Sequence, residues 1–128
     1  MIAPYWGTML DCPDPVALAA FYQRVCGGSL AVVTETFAEL RLDAFSLGFQ
    51  RDLNYRAPTW PEPRVPQQAH LDFKTADLDA AEVEVLAAGA TKSVLQPSPE
   101  VFRVYLDPAG HPFCLSTWGT PVGPPESR

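Results

Sequence analysis

Apolar residues recur with helical spacing in two separate parts of the chain. The first part carries them at i, i+3, i+4 and i+7, as Leu18, Phe21, Tyr22 and Val25. Asp14 and Pro15 precede this stripe as N-cap and first helical residue, and Gly27 follows it as a helix stop. The pattern therefore predicts an amphipathic helix that begins after Asp14 and ends at Gly27.

The second helical stretch repeats the plan of the first. Asp77 is its predicted N-cap and Gly89 its end, and the apolar residues on one face are Leu78, Ala81, Val85 and Leu86. Aligning residues 7–27 with residues 70–90 places Asp14 on Asp77 and Gly7 on His70. Such self-similarity indicates a fold made by pairing two similar halves.

Short apolar segments separated by turn residues predict the strands. In chain order they cover residues 6–12, 29–35, 37–43, 45–50, 68–75, 91–96, 100–107 and 113–118. Each half then has the order βαβββ, in modules 6–50 and 68–118, and we predict an α+β fold in a single domain, 1–128.

Residues 51–67 join the two modules and contain four prolines around Trp60. Proline at this density excludes a regular helix or strand, so this segment is predicted to be a semi-rigid linker. Trp60 has two interpretations: it covers a cavity, or it anchors the linker on the core.

Composition narrows the class of protein. A hydrophobic content of 47% with 19% charged residues is ordinary for a globular domain. No apolar run approaches the roughly 20 residues that span a bilayer, and the N-terminus does not have the pattern of a signal peptide, so we expect a cytoplasmic protein without membrane contact. The net charge of -6 disfavours nucleic acid as a partner. Three cysteines without CxxC spacing argue against a disulfide framework or a structural zinc site.

Local motifs occur in an order that resembles one superfamily. They are DPxxLxxFY at residues 14–22, LGFQR at 47–51, TWPEP at 59–63, QQAHLDF at 67–73 and DPAGHPFCL at 107–115. With two βαβββ halves, they make the chain similar to the vicinal oxygen chelate superfamily, the fold of glyoxalase I, bleomycin-resistance proteins and extradiol dioxygenases. The closest similarity is to its small glyoxalase-like members. The resemblance implies a curved mixed sheet around a concave cleft, and it is compatible with a homodimer.

The resemblance also implies where a metal would bind. Metalloenzymes of this superfamily take His, Glu or Gln ligands from the first and last strands of each half. Those positions fall here on Gly7, Gly48, His70 and Cys114. Because the glycines have no donor atoms, we expect no cofactor, and a divalent metal only if Glu39 or Asp72 substitutes as a ligand.

Strand alternation predicts which polar side chains face the cleft. His70 and Asp72 lie opposite Leu71 and Phe73, which we expect to pack on the helices. A mixture of apolar and convergent polar groups is typical of small-molecule clefts. The predicted ligand-binding residues are His70, Asp72, Gln50, Ser46, Cys114, Ser116 and Trp60.

Three residues in this region have alternative interpretations. His70 is the candidate catalytic residue, as a general base or hydrogen-bond donor, and the alternative is a structural histidine satisfied by Asp72. Cys114 is a nucleophile if His70 lowers its pKa, or else a buried thiol. His111 is interpreted as a turn residue.

Three functions are compatible with this sequence. The first is a glyoxalase-like protein that binds a small organic molecule in the cleft without the usual catalytic metal. The second is an enzyme (a lyase, isomerase or dioxygenase) that uses a metal with substitute ligands, or His70 as a general base. The third is an interaction module with an idle cleft. The fold alone does not decide between them.

Overall fold

The computed structural model describes residues 1–117, so Trp118, predicted to end the last strand, lies outside the described residues. Two four-stranded sheets and two helices alternate in the predicted order. The elements are β1 Gly7–Cys12, α1 Pro15–Cys26, β2 Ser29–Val33, β3 Phe37–Arg41, β4 Ser46–Arg51, β5 Leu71–Lys74, α2 Leu78–Ala88, β6 Thr91–Lys92, β7 Phe102–Leu106 and β8 Pro112–Ser116. The α+β fold of two βαβββ modules is thereby confirmed.

Both sheets have the same mixed topology. The first has the order β1-β4-β3-β2 and the second β5-β8-β7-β6. In each, the first strand of the module runs parallel to the last, while the remaining pairs are antiparallel. Thr8 pairs with Leu47 in the first sheet just as Leu71 pairs with Phe113 in the second. The internal repeat therefore extends to the strand register.

Both helices begin where the sequence predicts. The carboxylates of Asp14 and Asp77 accept hydrogen bonds from the backbone N–H groups of Ala17 and Ala80, at 3.1 and 3.0 Å. Each carboxylate thus satisfies an N–H that has no partner inside the helix. Gly89 ends α2 at a φ of 120°, a conformation that glycine adopts readily. None of the helices in residues 1–117 has the length and apolar character of a membrane span.

Strand β6 is shorter than predicted, with two residues in place of six. Beyond Lys92, the Ser93 N–H still donates to the Val104 carbonyl at 3.0 Å, and the side chain of Gln96 then bonds to the same residue. Its amide accepts a hydrogen bond from the Val104 N–H at 2.9 Å and donates one to the Val104 carbonyl at 2.7 Å. Propensity patterns do not reveal hydrogen bonds between a side chain and the backbone of a strand. Strand β5 is also shorter than predicted, and His70 immediately precedes it.

The core lies between the helices and both sheets. Tyr22 of α1 stacks on Phe49 of the first sheet and on Phe73 of the second, with ring centroids 5.7 and 5.9 Å apart. Its hydroxyl donates a 2.6 Å hydrogen bond to buried Asp107, in the turn before β8. Burial and the Asp107 charge raise the pKa of Tyr22. One residue therefore connects the two modules by both packing and hydrogen bonding.

His111 makes a second connection between the modules. Its backbone lies in the predicted turn, where Gly110 N–H donates to the carbonyl of Asp107 at 2.8 Å. Its Nε2 lies 2.7 Å from the carbonyl oxygen of Asp11 in β1 and 3.3 Å from the hydroxyl of Tyr55. His111 is thus a turn residue that also joins the two modules. Sequence patterns do not show such contacts between residues distant in the chain.

Candidate functional site

A cavity of about 330 Å³ lies between the linker and the second sheet. Its apolar walls are Trp60, Pro97, Phe102, Val104 and Pro112, and its polar lining is Gln67, His70, Asp72 and Cys114. An apolar cavity with a few polar groups is the usual form of a site for a small molecule. We call this space the linker cavity.

The local strand geometry brings three of the polar side chains together. Asp72 in β5 is the direct register partner of Cys114 in the parallel strand β8, and His70 stands two residues before Asp72. Residues two apart on an extended chain point to the same side, as the sequence analysis expected. The Nε2 of His70 lies 3.7 Å from Oδ1 of Asp72. The donor atoms of all three residues lie within 4.8 Å of one another.

Cys114 is held as a neutral thiol. Burial raises its pKa to about 12, and the charge and hydrogen bond of Asp72 contribute in the same direction. A reactive cysteine instead needs a lowered pKa, because the thiolate is the nucleophile. This arrangement favours the buried-thiol interpretation of Cys114 over the nucleophile.

Gln67 adds a polar group that the sequence pattern did not indicate. Its Oε1 is buried, and within residues 1–117 it has no hydrogen-bond partner. A buried acceptor without a donor costs about 1–3 kcal/mol, so such groups usually mark a place where a ligand or water binds. Gln67 was missed because it lies in the proline-rich linker, where no periodicity shows which way a side chain points.

Trp60 is held on the cavity wall by a short closed loop. The N–H of Thr59 donates to the carbonyl of Val65 at 2.6 Å, and the N–H of Val65 donates back to Thr59 Oγ1 at 2.9 Å. The same hydroxyl donates to the carbonyl of Glu62 at 2.6 Å. Trp60 forms part of the wall of the linker cavity.

Three of the predicted ligand-binding residues do not line this cavity. Ser46 is buried and donates a 2.7 Å hydrogen bond to Glu39, which is also buried. Gln50 is exposed on β4, and Ser116 is buried at the end of β8. Alternation predicts a face within one strand, but it does not show which faces of the two modules border the same cavity.

The superfamily metal positions of the first module do not fit a metal ligand. A Cβ at Gly7 would lie 2.2 Å from the carbonyl oxygen of Ser46, which is backbone. A Cβ at Gly48 would lie 2.0 Å from the Sδ of Met9, which covers this glycine. Met9 and Gly48 are register partners, as Asp72 and Cys114 are in the second module. The first module thus places a methionine where the second has its open polar cluster, and these two glycine positions offer no donor atom.

Comparisons with known proteins agree with the fold. A family model described as a glyoxalase-like domain matches residues 7–116. A glyoxalase/bleomycin resistance protein/dioxygenase family enzyme from Burkholderia phytofirmans PsJN superposes with a TM-score of 0.67 at 20% identity, over 88% of this chain and 97% of the other. A possible glyoxalase from Bacillus cereus has a TM-score of 0.67 at 16% identity, over 88% and 97%.

The same fold recurs in further solved structures. A protein from Agrobacterium tumefaciens, ATC0852, has a TM-score of 0.67 at 19% identity, over 90% of this chain and 97% of the other. No curated protein matches the chain significantly. At these identities the structural neighbours establish the fold, and the family model establishes membership. The chain belongs to the glyoxalase-like domain family, within the vicinal oxygen chelate superfamily.

Proposed function

We propose that this protein binds a small organic molecule in the linker cavity, without the metal centre that metalloenzymes of the superfamily build from both modules. The observation that carries the proposal is the buried, unpartnered carbonyl oxygen of Gln67. This residue lines the largely apolar linker cavity and also a second cavity under the linker. A ligand with an N–H or O–H group would satisfy this acceptor and regain the free energy that it costs.

The lining defines the class of ligand. A volume of about 330 Å³ is at the lower end of typical ligand sites, so the ligand is compact. Trp60 and Phe102 offer ring surface for an apolar or aromatic part. Gln67 and the carboxylate of Asp72 both accept hydrogen bonds. The favoured ligand is therefore a small ring compound or branched molecule that carries at least one hydrogen-bond donor.

The absence of donors at Gly7 and Gly48 supports binding without the shared metal. Neither glycine has a side chain; a Cβ at Gly7 would meet the backbone of Ser46, and a Cβ at Gly48 would meet the side chain of Met9. His70 then serves as a hydrogen-bonding group at the open end of the cavity, where its side chain is 40% exposed.

A screen of donor-bearing and donor-free ring compounds by thermal shift, followed by calorimetry, tests the proposal. A ligand at 100 times its Kd stabilises the folded state by about 2.7 kcal/mol. Val104→Trp should fill the cavity and abolish binding, whereas Val83→Trp at a 70% exposed helix position should not. Gln67→Leu should remove the preference for donor-bearing compounds, and Gln68→Leu, which faces a different cavity, should preserve it.

Two results would contradict the proposal. One is a screen in which no compound stabilises the protein. The other is a ligand whose affinity is the same in the folded Val104→Trp variant, because such a ligand must bind elsewhere.

A further inference from the structure

We propose that a second ligand site lies between α1 and α2, and that it binds a small organic carboxylate with an apolar body. A cavity of about 430 Å³ opens there, and Phe73 and Leu115 are among the residues that line it. Their strand neighbours Asp72 and Cys114 line the linker cavity, and successive residues of a strand point to opposite faces. We call this second space the helix cavity. The inference goes beyond the proposed function and does not depend on it.

The internal repeat explains why space is left beneath α2. Asp14 and Asp77 are the N-caps of the two helices, so residues that follow them at equal distances occupy equivalent positions. Four residues that pack into the core from α1 are replaced in α2 by smaller or charged residues that line the helix cavity. The pairs are Leu18 with Ala81, Phe21 with Glu84, Tyr22 with Val85 and Val25 with Ala88. Because protein interiors are otherwise close-packed, the side-chain volume lost at these positions remains as a cavity.

The lining of the helix cavity is apolar where it is buried and charged where it is exposed. Phe73 and Leu115 are register partners on the parallel strands β5 and β8, and Leu115 is buried, as is Val85 of α2. Arg24 and Lys74 are exposed residues of the same lining. An apolar floor below charged groups accommodates a molecule that has an apolar body and an ionic end.

The two cations of the helix cavity are unpaired within the part of the chain that the structure describes. Five other basic side chains form ion pairs with carboxylates, namely Arg41, Arg51, Arg64, Lys92 and Arg103. Within residues 1–117, Arg24 and Lys74 have no such pair, although the chain has fifteen acidic and only nine basic residues. Glu84 is the carboxylate in the lining, so positive charge exceeds negative charge there. A carboxylate ligand would supply the missing partner, which arginine binds through two parallel hydrogen bonds.

The two cavities favour ligands of opposite character. Among residues 1–117, neither lysine nor arginine lines the linker cavity, and the side-chain oxygens of Gln67 and Asp72 there accept hydrogen bonds. The helix cavity instead presents two cationic donors. A volume of about 430 Å³ lies within the range of small-molecule sites. The ligand class is therefore a compact aryl or alkyl carboxylate, which the Asp72 charge would disfavour in the linker cavity.

Titration of the isotope-labelled full-length chain with hydrocinnamate, followed by amide NMR spectra, tests the inference. We expect saturable shifts at the residues that line the helix cavity, and weaker binding at higher salt because exposed charges are screened. The uncharged hydrocinnamamide should bind at least about fivefold more weakly. Arg24→Gln and Lys74→Gln should each weaken hydrocinnamate binding by about fivefold, whereas Arg64→Gln, in the linker, should not. Glu84→Gln should strengthen it, because a repelling charge is removed.

A further variant tests the cavity itself. Ala81→Leu introduces the residue that α1 has at the equivalent position, so it should fill the helix cavity and abolish hydrocinnamate binding. Ala80→Leu, at an exposed position of the same helix, is the matched control and should bind as before. Val104→Trp, which fills the linker cavity, should also leave hydrocinnamate binding unchanged.

The inference is overturned if hydrocinnamate causes no saturable shifts at the helix cavity, or if the amide binds as tightly as the carboxylate. It is equally overturned if Ala81→Leu, shown to be folded by circular dichroism, retains the affinity, or if Arg24→Gln and Glu84→Gln change the affinity in the same direction. Loss of hydrocinnamate binding in Val104→Trp would place the carboxylate in the linker cavity. That result would reject the second site and retain the proposed function.

Discussion

The two glycines at the superfamily metal positions differ in what blocks them, and this difference is measurable. At Gly48 the main obstacle is the Met9 side chain, which is flexible and 39% exposed, and the Phe37 ring, at 3.1 Å, is a smaller one. Gly48→Ala would push this side chain into solvent, which costs about 1–2 kcal/mol of apolar burial. Alanine also reduces the conformational entropy of the unfolded chain, which stabilises the folded state by about 0.4–1 kcal/mol. The net destabilisation should be about 1 kcal/mol.

At Gly7 the obstacle is backbone, and no side-chain rotation removes it. The new Cβ would lie 2.2 Å from the Ser46 carbonyl oxygen and 3.0 Å from its carbon. Strands β1 and β4 would have to separate at a point where Ser46 N–H donates to the Trp6 carbonyl at 3.0 Å. Overpacking of this kind costs about 3 kcal/mol. At about 4 °C per kcal/mol for a chain of this size, the Tm should fall by about 12 °C for Gly7→Ala and by about 4 °C for Gly48→Ala.

Urea unfolding of a double-mutant cycle distinguishes the two obstacles. In a Met9→Ala background, Gly48→Ala should become neutral or slightly stabilising, while Gly7→Ala should cost as much as before. Equal costs for the two glycines, or a failure of Met9→Ala to rescue Gly48→Ala, would refute the assignment of Met9 as the group that fills the first module's metal position.

Three further predictions follow from the described contacts. Tyr22→Phe should destabilise the fold by about 2 kcal/mol in urea unfolding. It removes the donor to Oδ2 of buried Asp107, while Oδ1 keeps the N–H groups of Ala109 and His111. In metal-free protein, Cys114 should react slowly with iodoacetamide, and Asp72→Asn should accelerate alkylation, measured by mass spectrometry, because it removes a charge that raises the pKa of the thiol. A hydrogen bond from Lys92 lowers the pKa of Glu82 below its ordinary value of 4.5. The Glu82 carboxylate therefore stabilises the folded state at pH values above 4.5. This contribution is lost as the pH falls below 4.5 and through the lowered pKa. In Glu82→Gln, the free energy of unfolding should therefore fall less steeply as the pH is lowered.

Matched controls exist for these three measurements. Tyr105→Phe removes a hydroxyl that donates to Glu82 at 2.8 Å, but this carboxylate remains 22% exposed and keeps Lys92 at 2.9 Å, so the cost should be below 1 kcal/mol. Equal costs for the two tyrosines would contradict the role given to the Tyr22 hydroxyl. For alkylation, Cys26 should show no response to Asp72→Asn. For pH, Glu62→Gln, at a surface ion pair, should leave the acid limb unchanged.

The fold was predictable because its signals are local. Helix caps at Asp14 and Asp77, apolar stripes, and the turn before β8 each lie within a few residues, and the internal repeat combined them into two modules. The strand alternation of His70 and Asp72 was predictable for the same reason. The sequence therefore predicted the part of the candidate site that lies on β5 and β8.

The rest of the site depends on contacts between distant segments. Met9 covering Gly48 and Gln67 entering the cavity from the linker are consequences of packing, and neither has a periodic signature. Ser46 illustrates the same limit, because its hydrogen bond to Glu39 joins two strands whose side chains together fill the first module's face. The sequence indicates which residues carry useful chemistry, and only the packing decides which of them share a cavity.

The closed loop that carries Trp60 bears on the kinetics and selectivity of the proposed ligand binding. Thr59 and Val65 hold this loop through backbone and hydroxyl hydrogen bonds, so the backbone that carries the indole is fixed without a ligand. The entropy of fixing it is lost during folding and not during association. A preorganised wall of this kind favours rapid, nearly rigid docking, with affinity differences among related molecules expressed in their dissociation rates. It should also discriminate by shape, since a ligand one ring too large cannot be accommodated by opening the wall.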